Sequence, residues 1–314
     1  MRDISYKQQT LRTAKAVAVV YCSPTSIEVI RQENLPKGNL FDVARAAAFI
    51  GAKSAPMLLP HCHPVNIDGM EVQFEFLAET SIEELSGEQN KTGIVIIGEA
   101  RSIGRTGIEM EVLTGVSVAA LEIYDMLKPI DKKLQIGNIQ LLNKTGGKSD
   151  RTRFSQDTPL CAVLVCSDSV ASGKNQDNSG RLMQEMLEVA GAEVMHYEVV
   201  PDDENQIRNQ LLSWIDEDVH FIFTTGGTGF GSRDVTVSVV EKILDKTAHG
   251  IAEAIRGFGQ MRTPLAMMSN LTAGTVKNTT IVTLPGSPDA VKEGLSAILP
   301  SIFHSRKMLL GGRH

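Results

Sequence analysis

The sequence predicts two domains: an N-terminal α+β sandwich of ferredoxin-like type, and a C-terminal three-layer α/β domain with a doubly wound parallel sheet. The chain has 314 residues, which is long for one hydrophobic core and sufficient for two. Strand and helix patterns alternate regularly only in the second half. Between the halves lies the polar stretch KSDRTRFSQDTP (148–159), which ends in proline and is typical of a linker. We therefore place domains at 1–149 and 160–314, with a linker at 150–159.

In the second half, four apolar runs are predicted as strands and three amphipathic segments as helices. The strands are CAVLV (161–165), EVMHYEVV (193–200), HFIFTT (220–225) and TTIVTLPG (279–286). The helices are SGRLMQEMLEVAG (179–191), a segment from Asp203 through Trp214, and SPDAVKEGLSAILPSIF (287–303). Asp203 with Gln206 three residues later resembles a capping box, which indicates a helix start. The alternation favours a parallel sheet.

The first half is less regular. The stretch NLFDVARAAAFIGA (39–52) has the pattern of an amphipathic helix, and 109–128 that of one long helix. EVQFEF (71–76) and GIVIIGEA (93–100) are predicted as strands. Helices on one side of such a sheet would form an α+β sandwich.

Composition excludes several classes of function. The formal net charge is −6 and the sequence pI about 5.7, which argues against a nucleic-acid surface. The four cysteines, Cys22, Cys62, Cys161 and Cys166, include no C-x-x-C pair and fit a reducing compartment. No signal peptide is recognisable, and no apolar run approaches the ~18 residues of a membrane span. We expect a soluble, cytoplasmic protein without a membrane partner.

The stretch TTGGTGFGSRDVT (224–236) follows a predicted strand end, where parallel sheets bind ligands. Its glycines let main-chain N–H groups approach an anion, and Thr224, Thr225 and Thr228 add hydroxyl groups. The spacing is not that of a P-loop. Asp234 would repel phosphate unless a cation such as Mg²⁺ lay between them, while Arg233 could pair with Asp234 or clamp phosphate. The alternative is an ordinary β-turn with a surface ion pair.

A second acidic cluster, Asp202-Asp203-Glu204, follows another predicted strand end and could face the same crevice. Asp203 suits a helix cap, which leaves Asp202 freer to orient Mg²⁺ or a nucleotide. The alternative is that both aspartates only cap the helix.

Residues 160–314 resemble the molybdopterin adenylyltransferase family of molybdenum cofactor biosynthesis. The resemblance rests on CSDS (166–169), VPDDE (200–204), TTGGTGFGSRDVT and LPGSPDAV (284–291). It implies ATP- and Mg²⁺-dependent adenylylation of molybdopterin, with the family's two aspartates at Asp202 and Asp234 as catalytic residues and metal ligands. The implied nucleotide- and pterin-binding residues are Ser167, Asp168, Gly226, Gly227, Thr228, Gly229 and Ser287. The family motif usually continues RDVTPEA, whereas this chain has RDVTVSV (233–239), which affects the start of the next helix.

Several polar residues stand out in the first half, and each has an ordinary structural explanation. The triplet His61-Cys62-His63 could be part of a zinc site, but such a site needs three or four ligands. Two histidines in a strand would point the same way, and the sequence offers no second cluster of ligands to complete the site. Glu109 and Glu111 suit a helix start. Asp125 and Lys128 have the i, i+3 spacing of a solvated helix pair. Lys144 and Lys148 enclose two glycines in either a flexible loop or a phosphate-binding loop.

The spacing of Glu111 and Asp125 constrains any site that uses both. Fourteen residues place them on a similar helix face but roughly 21 Å apart at 1.5 Å per residue. If both matter, either the helix breaks or two subunits contribute opposite ends to one site. We hypothesise an active site across a subunit interface.

Residues 1–149 resemble the cyclic pyranopterin monophosphate synthase family. The motifs are DISYKQQTLR (3–12), KGNLFDVARAAAFIGAK (37–53), LLPHCHP (58–64), GIEMEVLTGVSVAALEIYDMLK (107–128) and IQLLNKTGGKS (139–149). The resemblance places catalytic residues at Asp125, Lys37, Lys128 and Glu109. It places substrate contacts at His61, Cys62, His63, Met110, Glu111, Lys144 and Lys148. The family usually has leucine at the position of His61, and the stretch between HCHP and GIEME, which contains SIEELSGEQNKTG (81–93), is longer than usual. Both could alter substrate contacts.

This second resemblance implies rearrangement of a cyclised guanosine triphosphate derivative to cyclic pyranopterin monophosphate, with loss of pyrophosphate and no cofactor. Lysines would neutralise the triphosphate, and an Asp/Lys pair would move protons. The families imply a three-fold homo-oligomer, a trimer or hexamer, that acts on small pterin and nucleotide substrates. Two alternatives for the second half stay open: a non-catalytic pterin- or nucleotide-binding scaffold, and an unrelated phosphotransferase.

Overall fold

The structure is a computed structural model that describes residues 1–32, 35, 38–88, 91–147 and 157–312. The chain forms two compact units, Met1–Asp150 and Arg151–His314. Most of the predicted linker lies outside the described residues. Among the described helices, none is long and apolar enough to cross a membrane.

The first unit is built on a four-stranded antiparallel sheet with the strand order β2-β3-β1-β4. Its strands are β1 (Thr10–Tyr21), β2 (Gly69–Phe76), β3 (Gly93–Gly104) and β4 (Gln135–Thr145). Its helices are α1 (Pro24–Arg31), α2 (Leu40–Leu58) and α3 (Glu109–Leu127). One hydrophobic cluster joins α2 and α3 to a single face of the sheet, which confirms the α+β sandwich.

Helix α2 begins as the sequence predicts and ends six residues later than expected. The Asn39 side chain caps its start by accepting hydrogen bonds from the amides of Phe41 and Asp42. The predicted end at residue 52 is wrong because the apolar face continues: Ala52 and Ala55 are both fully buried, and the helix runs through Pro56 to Leu58.

The opposite face of the first sheet is covered by the stretch whose length is unusual for the resembled family. Leu77 and Leu85, in two short 3₁₀ turns, are fully buried against Val17, Val19 and Val95 of the sheet. This part of the insertion therefore adds a small second core on the face away from α2 and α3.

The second unit contains a six-stranded sheet with the order β6-β5-β7-β10-β9-β8. Its strands are β5 (Leu160–Cys166), β6 (Glu193–Val200), β7 (Phe221–Thr225), β8 (Lys246–Thr247), β9 (Ala273–Val276) and β10 (Thr279–Leu284). The prediction of a parallel sheet is correct for β6-β5-β7-β10 and wrong for the other edge, where β9 pairs antiparallel with both β10 and β8. Only Lys277 and Asn278 separate β9 from β10, and so short a connection permits only an antiparallel pair.

Helices cover both faces of this sheet. They are α4 (Asp168–Ala171), α5 (Asn178–Val189), α6 (Glu204–Asp216), α7 (Thr236–Ile243), α8 (His249–Gln260), α9 (Pro288–Ile298) and α10 (His304–Leu309). In β5, Cys161 and Val163 belong to the core beneath α5, α8 and α9, whereas Ala162 and Leu164 belong to the core beneath α6 and α7. This alternation gives the predicted three layers.

The single helix expected over 287–303 is in fact one shorter helix followed by a 3₁₀ turn. Helix α9 ends at Ile298, a 3₁₀ turn covers Ser301–Phe303, and α10 begins at His304. Pro300 lies at the break, since proline has no N–H group to continue the helical hydrogen-bond series.

Candidate functional site

In the second unit, β5, β7 and β10 end beside one another and open onto a cleft of about 330 Å³. Five of the predicted residues line it, namely Ser167, Asp202, Thr225, Gly226 and Gly227. Parallel strands bring these residues together because their carboxyl ends lie at one edge of the sheet.

Gly226 shows why the loop after β7 needs glycine. Its φ is +93°, and an added Cβ would lie 2.1 Å from the carbonyl oxygen of Cys166. Any side chain would push the loop away from the end of β5. The loop can therefore follow the strand ends closely, with its main chain lining the cleft.

The threonine hydroxyls before the loop are placed differently from the expectation. Thr224 is fully buried, and the Thr225 hydroxyl donates to the carbonyl oxygen of Pro285 at 2.7 Å. The Thr224 hydroxyl therefore cannot serve an anion in the cleft, whereas Thr225 lines the cleft but already donates its hydroxyl proton to Pro285.

Asp202 and Asp203 divide their roles as the sequence suggests. Asp203 caps α6 by accepting a hydrogen bond from the amide of Gln206 at 2.9 Å. Asp202 Oδ2 accepts from the amide of Asp168, and Asp168 Oδ1 accepts from the amide of Asp202, both at 3.1 Å. Asp202 Oδ1 is buried and has no partner among the described residues.

The electrostatics of Asp202 reflect this placement. Burial is the main cause that raises the pKa of its carboxyl group; the Asp168 amide opposes this, and the carboxylates of Asp168 and Asp234 add to it. A buried carboxylate oxygen without a hydrogen-bond partner is stabilised by a nearby cation, and carboxylate oxygens are ligands that Mg²⁺ prefers. The residues present therefore fit a cation held by Asp202 and Asp234, whose remaining ligands would come from phosphate and water.

Arg233 pairs with Asp168, and not with Asp234 as one expectation had it. The amide of Asp202 and the guanidinium of Arg233 together lower the pKa of Asp168. Asp234 instead folds back on its own loop, where its Oδ2 accepts from the amide of Gly231 at 2.8 Å.

The other predicted ligand-binding residues lie around the same strand ends. Ser167 and Ser287 are the N-caps of α4 and α9, with hydroxyls that accept from the amides of Val170 and Ala290. Thr228 is buried, whereas Gly229 is exposed beside Asp234.

Sequence reasoning missed a wall of the cleft formed by Asp177 and Ser179 at the start of α5. Asp177 accepts hydrogen bonds from the amide of Gly180 at 2.8 Å and from the Tyr197 hydroxyl. The Ser179 hydroxyl donates to the carbonyl oxygen of Gly286 at 2.6 Å. An Asp-x-Ser-Gly cap just before an apolar-periodic helix was the available signal.

In the first unit, four predicted residues come together near the start of α3. Lys144 Nζ of β4 lies 3.0 Å from Glu109 Oε1, and the Cys62 thiol donates to Glu111 Oε1 at 3.6 Å. Burial raises the pKa of Glu109, but its own backbone amide and Lys144 outweigh this and lower it overall.

Glu111 has the opposite character. It is 1% exposed, and its Oε2 is buried without a partner among the described residues. Burial raises the pKa of this carboxyl group, with hydrogen bonds from its own amide and Cys62 in opposition. The helix start therefore presents one ionised acid beside a lysine and one acid that retains its proton more readily.

The histidine triplet does not lie in a strand; it follows the end of α2 in a turn and an extended loop. His63 Nε2 lies 2.8 Å from the carbonyl oxygen of Arg2, while His61 is exposed. Met110 is 42% exposed. In the described part of the chain, no group of three or more His, Cys, Asp or Glu side chains is placed to hold a metal ion by itself.

Asp125 and Lys128 form an ion pair at the far end of α3, with both side chains about half exposed. Helix α3 is continuous over Glu109–Leu127, so it does not break between Glu111 and Asp125. Within one copy of the first unit, Glu111 and Asp125 therefore lie roughly 21 Å apart. Lys37 and Lys148 lie outside the described residues.

Comparisons with known proteins agree with this division into two units. Residues 1–147 match the model of the MoaC family, and residues 162–304 match the model described as "Probable molybdopterin binding domain". A "Molybdenum cofactor biosynthesis bifunctional protein" of Chlorobaculum tepidum is 38% identical over all of this chain and 96% of its own length. A protein of the same description from Synechococcus elongatus is 33% identical over all of this chain and 98% of its own.

The first half also has separate relatives. A "Cyclic pyranopterin monophosphate synthase" of Desulforamulus reducens is 42% identical over 48% of this chain and 84% of its own length. The chain thus joins a MoaC domain to a second domain that matches the model described as "Probable molybdopterin binding domain". It belongs to the family of molybdenum cofactor biosynthesis bifunctional proteins.

Proposed function

We propose that this protein catalyses two steps of molybdenum cofactor biosynthesis. The N-terminal domain converts (8S)-3′,8-cyclo-7,8-dihydroguanosine 5′-triphosphate to cyclic pyranopterin monophosphate and pyrophosphate. The C-terminal domain adenylylates molybdopterin with Mg-ATP and releases pyrophosphate. The names of the relatives support the pathway and the first step; the second rests on the geometry of the cleft.

The observation that carries the second activity is the unpartnered oxygen of Asp202 beside the glycine loop. The loop amides bind the phosphates of ATP, and Asp202 and Asp234 hold the magnesium ion. When bound, this ion supplies the positive charge that lets two carboxylates lie beside phosphate. Arg233 exchanges Asp168 for a phosphate oxygen and stabilises the charge on the departing pyrophosphate.

The first activity uses the two acids at the start of α3. Lys144 and the lysines outside the described residues neutralise the triphosphate, and Glu109 keeps Lys144 in place. Glu111, whose pKa burial raises, contacts the substrate beside this pair. Asp125 and Lys128 of a second copy complete the site and transfer protons. We expect a three-fold assembly, a trimer or hexamer.

The adenylyltransferase is tested by pyrophosphate release from ATP in the presence of molybdopterin and Mg²⁺. Asp202→Asn and Asp234→Asn should each abolish release. Asp216→Asn, which removes an exposed ion pair with Lys277 at the other end of α6, should not. Tight nucleotide binding without turnover by the unchanged chain would instead identify a non-catalytic scaffold.

The shared site of the first domain is tested by co-expression of a Glu111→Ala chain with an Asp125→Ala chain. Each variant alone should be inactive. If each site takes Glu111 from one chain and Asp125 from another, random mixing of equal amounts of the two chains leaves one site in four intact, so about a quarter of full synthase activity should return. No recovery in verified hybrids would overturn the shared site.

A further inference from the structure

The second unit contains a cavity of about 640 Å³ that is separate from the glycine-loop cleft. Helices α8, α9 and α10 line it together with β8. Thr280, at the start of β10, also lines it, whereas the glycine-loop cleft lies beyond the end of that strand. Among the described residues, none lines both. The volume is well within the range of small-molecule sites, so the cavity is a candidate binding site in its own right.

The lining of this cavity is mainly apolar. The apolar residues include Ala248, Ile251, Ala297, Ile298, Ile302 and Leu309. Two of its hydroxyl groups already bond to each other, since Thr280 Oγ1 and Ser305 Oγ lie 3.2 Å apart. Such a surface offers few polar partners, and free energy is gained when an apolar chain replaces water against it. The cavity therefore favours a ligand with an extended apolar part.

One part of the lining is positive. Helix α8 begins at His249, and its N-cap residue, Ala248, offers no side-chain hydrogen bond to the amides of the first turn. That turn also contains no acidic residue, so the positive end of the helix dipole is not offset there. Lys246 lines the cavity just before this helix, and its ammonium group makes no hydrogen bond or ion pair with the described residues. None of the described residues in the lining is acidic.

Gly250 leaves room at this positive part of the lining. It lies in the first turn of α8, and a Cβ added there would meet no atom within 4 Å. An anionic group can therefore approach the amides of the turn without a side chain in the way. The start of α8, the Lys246 ammonium and the apolar lining all border this one cavity.

We propose that this cavity binds a free amphipathic carboxylate, a small molecule with one anionic head and an extended apolar chain. The head lies between Lys246 and the first turn of α8, and the chain lies along Ile251, Ile298 and Ile302. Charge complementarity selects the anion, and burial of the methylene groups supplies most of the affinity. The proposal concerns neither active site and is independent of both catalytic activities.

The test is isothermal titration calorimetry of the full chain with decanoate, the probe for this class of ligand. Binding should saturate at one molecule per chain. Octanoate has two methylene groups fewer and should bind about fifteenfold more weakly, since each buried methylene contributes about fourfold in affinity. Decylammonium carries the same chain with the opposite charge and should bind at least tenfold more weakly than decanoate.

A lysine variant tests the position of the head group. Lys246→Met keeps most of the apolar stem and removes the charge, so it should weaken decanoate binding about tenfold. It should leave the ratio of the decanoate and octanoate affinities unchanged, because the contacts of the chain remain. Lys292→Met, at an exposed lysine of α9 that does not line the cavity, is the control and should bind decanoate normally.

A pair of glycine variants tests the location of the bound chain. Gly250 and Gly257 both lie on α8, and at both an added Cβ would meet no atom within 4 Å, but of the two only Gly250 lines the cavity. Gly250→Leu should therefore weaken decanoate binding more than tenfold, whereas Gly257→Leu should not change it. Leucine is the better helix former, so thermal unfolding should show neither variant to be destabilised.

Three results would overturn the proposal: no saturable binding by the unchanged chain, equal binding of decanoate and decylammonium, or equal decanoate affinity in Gly250→Leu and Gly257→Leu. Sedimentation of Gly250→Leu covers the remaining occupant. A changed oligomeric state with unaltered decanoate binding would identify the cavity as a contact between copies of this chain, and the proposal would again be wrong.

Discussion

Asp131 offers a test of how buried polar contacts stabilise the N-terminal domain. It is 5% exposed, and its carboxylate accepts hydrogen bonds from the Ser23 amide at 2.6 Å, the Ser26 hydroxyl at 2.8 Å and the Lys133 amide at 2.9 Å. Burial alone would raise its pKa, but these donors outweigh burial and lower the pKa of Asp131 from 3.8 to about 2. At 1.36 kcal/mol per pKa unit, the fall from 3.8 to about 2 corresponds to about 2.4 kcal/mol, so Asp131→Asn should lower the free energy of unfolding by roughly that amount at neutral pH.

The pH dependence has a definite sign. The folded-state pKa lies below the unfolded-state value, so ionised Asp131 contributes its full stabilisation above the unfolded value of 3.8. That contribution is lost as the pH falls through the folded value of about 2. The difference in the free energy of unfolding between Asp131→Asn and the unchanged chain should therefore be largest at neutral pH and shrink below pH 4.

The assay is urea unfolding of the full chain, followed by circular dichroism and by tryptophan fluorescence. Trp214, the single tryptophan, is buried in the C-terminal domain and reports on that domain. Asp131→Asn should shift the circular dichroism transition and leave the fluorescence transition in place. Asp42→Asn, which removes an exposed ion pair with Arg45, is the control. An unchanged transition at pH 7, or an undiminished shift at pH 2, would refute the reasoning.

Two further predictions follow from the candidate sites. Gly226 and Gly191 both have a φ near +92°. If each is replaced by alanine, only the new Cβ at Gly226 would meet a carbonyl oxygen, at 2.1 Å. Gly191→Ala should lower the free energy of unfolding by about 1 kcal/mol, whereas Gly226→Ala should lower it by at least twice that and abolish pyrophosphate release from ATP. Equal effects of the two substitutions on unfolding and on activity would contradict this. Lys144→Met should change stability by less than about 1 kcal/mol, since its pair with Glu109 is partly exposed, yet lower synthase kcat/KM more than tenfold. The equally exposed Lys91→Met is its control, and a similar loss of kcat/KM there would show a general charge effect.

Much of the fold could be predicted because the relevant signals are local. The strands around 161–165, 193–200 and 220–225 are apolar runs bounded by turn residues, and the Asp203 cap needs only its own helix. Strand β1 was missed because charged residues such as Arg12 and Lys15 precede its apolar run and obscure the pattern. Strand β9 was missed because four residues, AGTV, carry too little periodicity.

The site was less predictable where contacts join distant parts of the chain. Arg233 pairs with Asp168, 65 residues away, and no local spacing indicates that partner. Glu111 resembles an ordinary acid at a helix start in the sequence, and local spacing does not reveal that it is 1% exposed, that burial raises its pKa, or that the Cys62 thiol donates to it. Spacing did predict that α3 cannot bring Glu111 and Asp125 together.

The two domains differ in how much of an active site one copy can hold. In the second, the ends of parallel strands place Asp202 and the glycine loop in one cleft, and the start of α7 depends on the loop itself. The amide of Thr236 donates to the carbonyl oxygen of Gly227 at 3.2 Å, and the Ser238 hydroxyl donates to that of Val235 at 2.9 Å. The helix therefore begins here without the proline and glutamate of the usual motif, and it keeps its main-chain contact with the glycine loop. In the first domain, one straight helix separates the two ends, so we infer that loss of assembly would abolish the synthase and leave the second reaction intact.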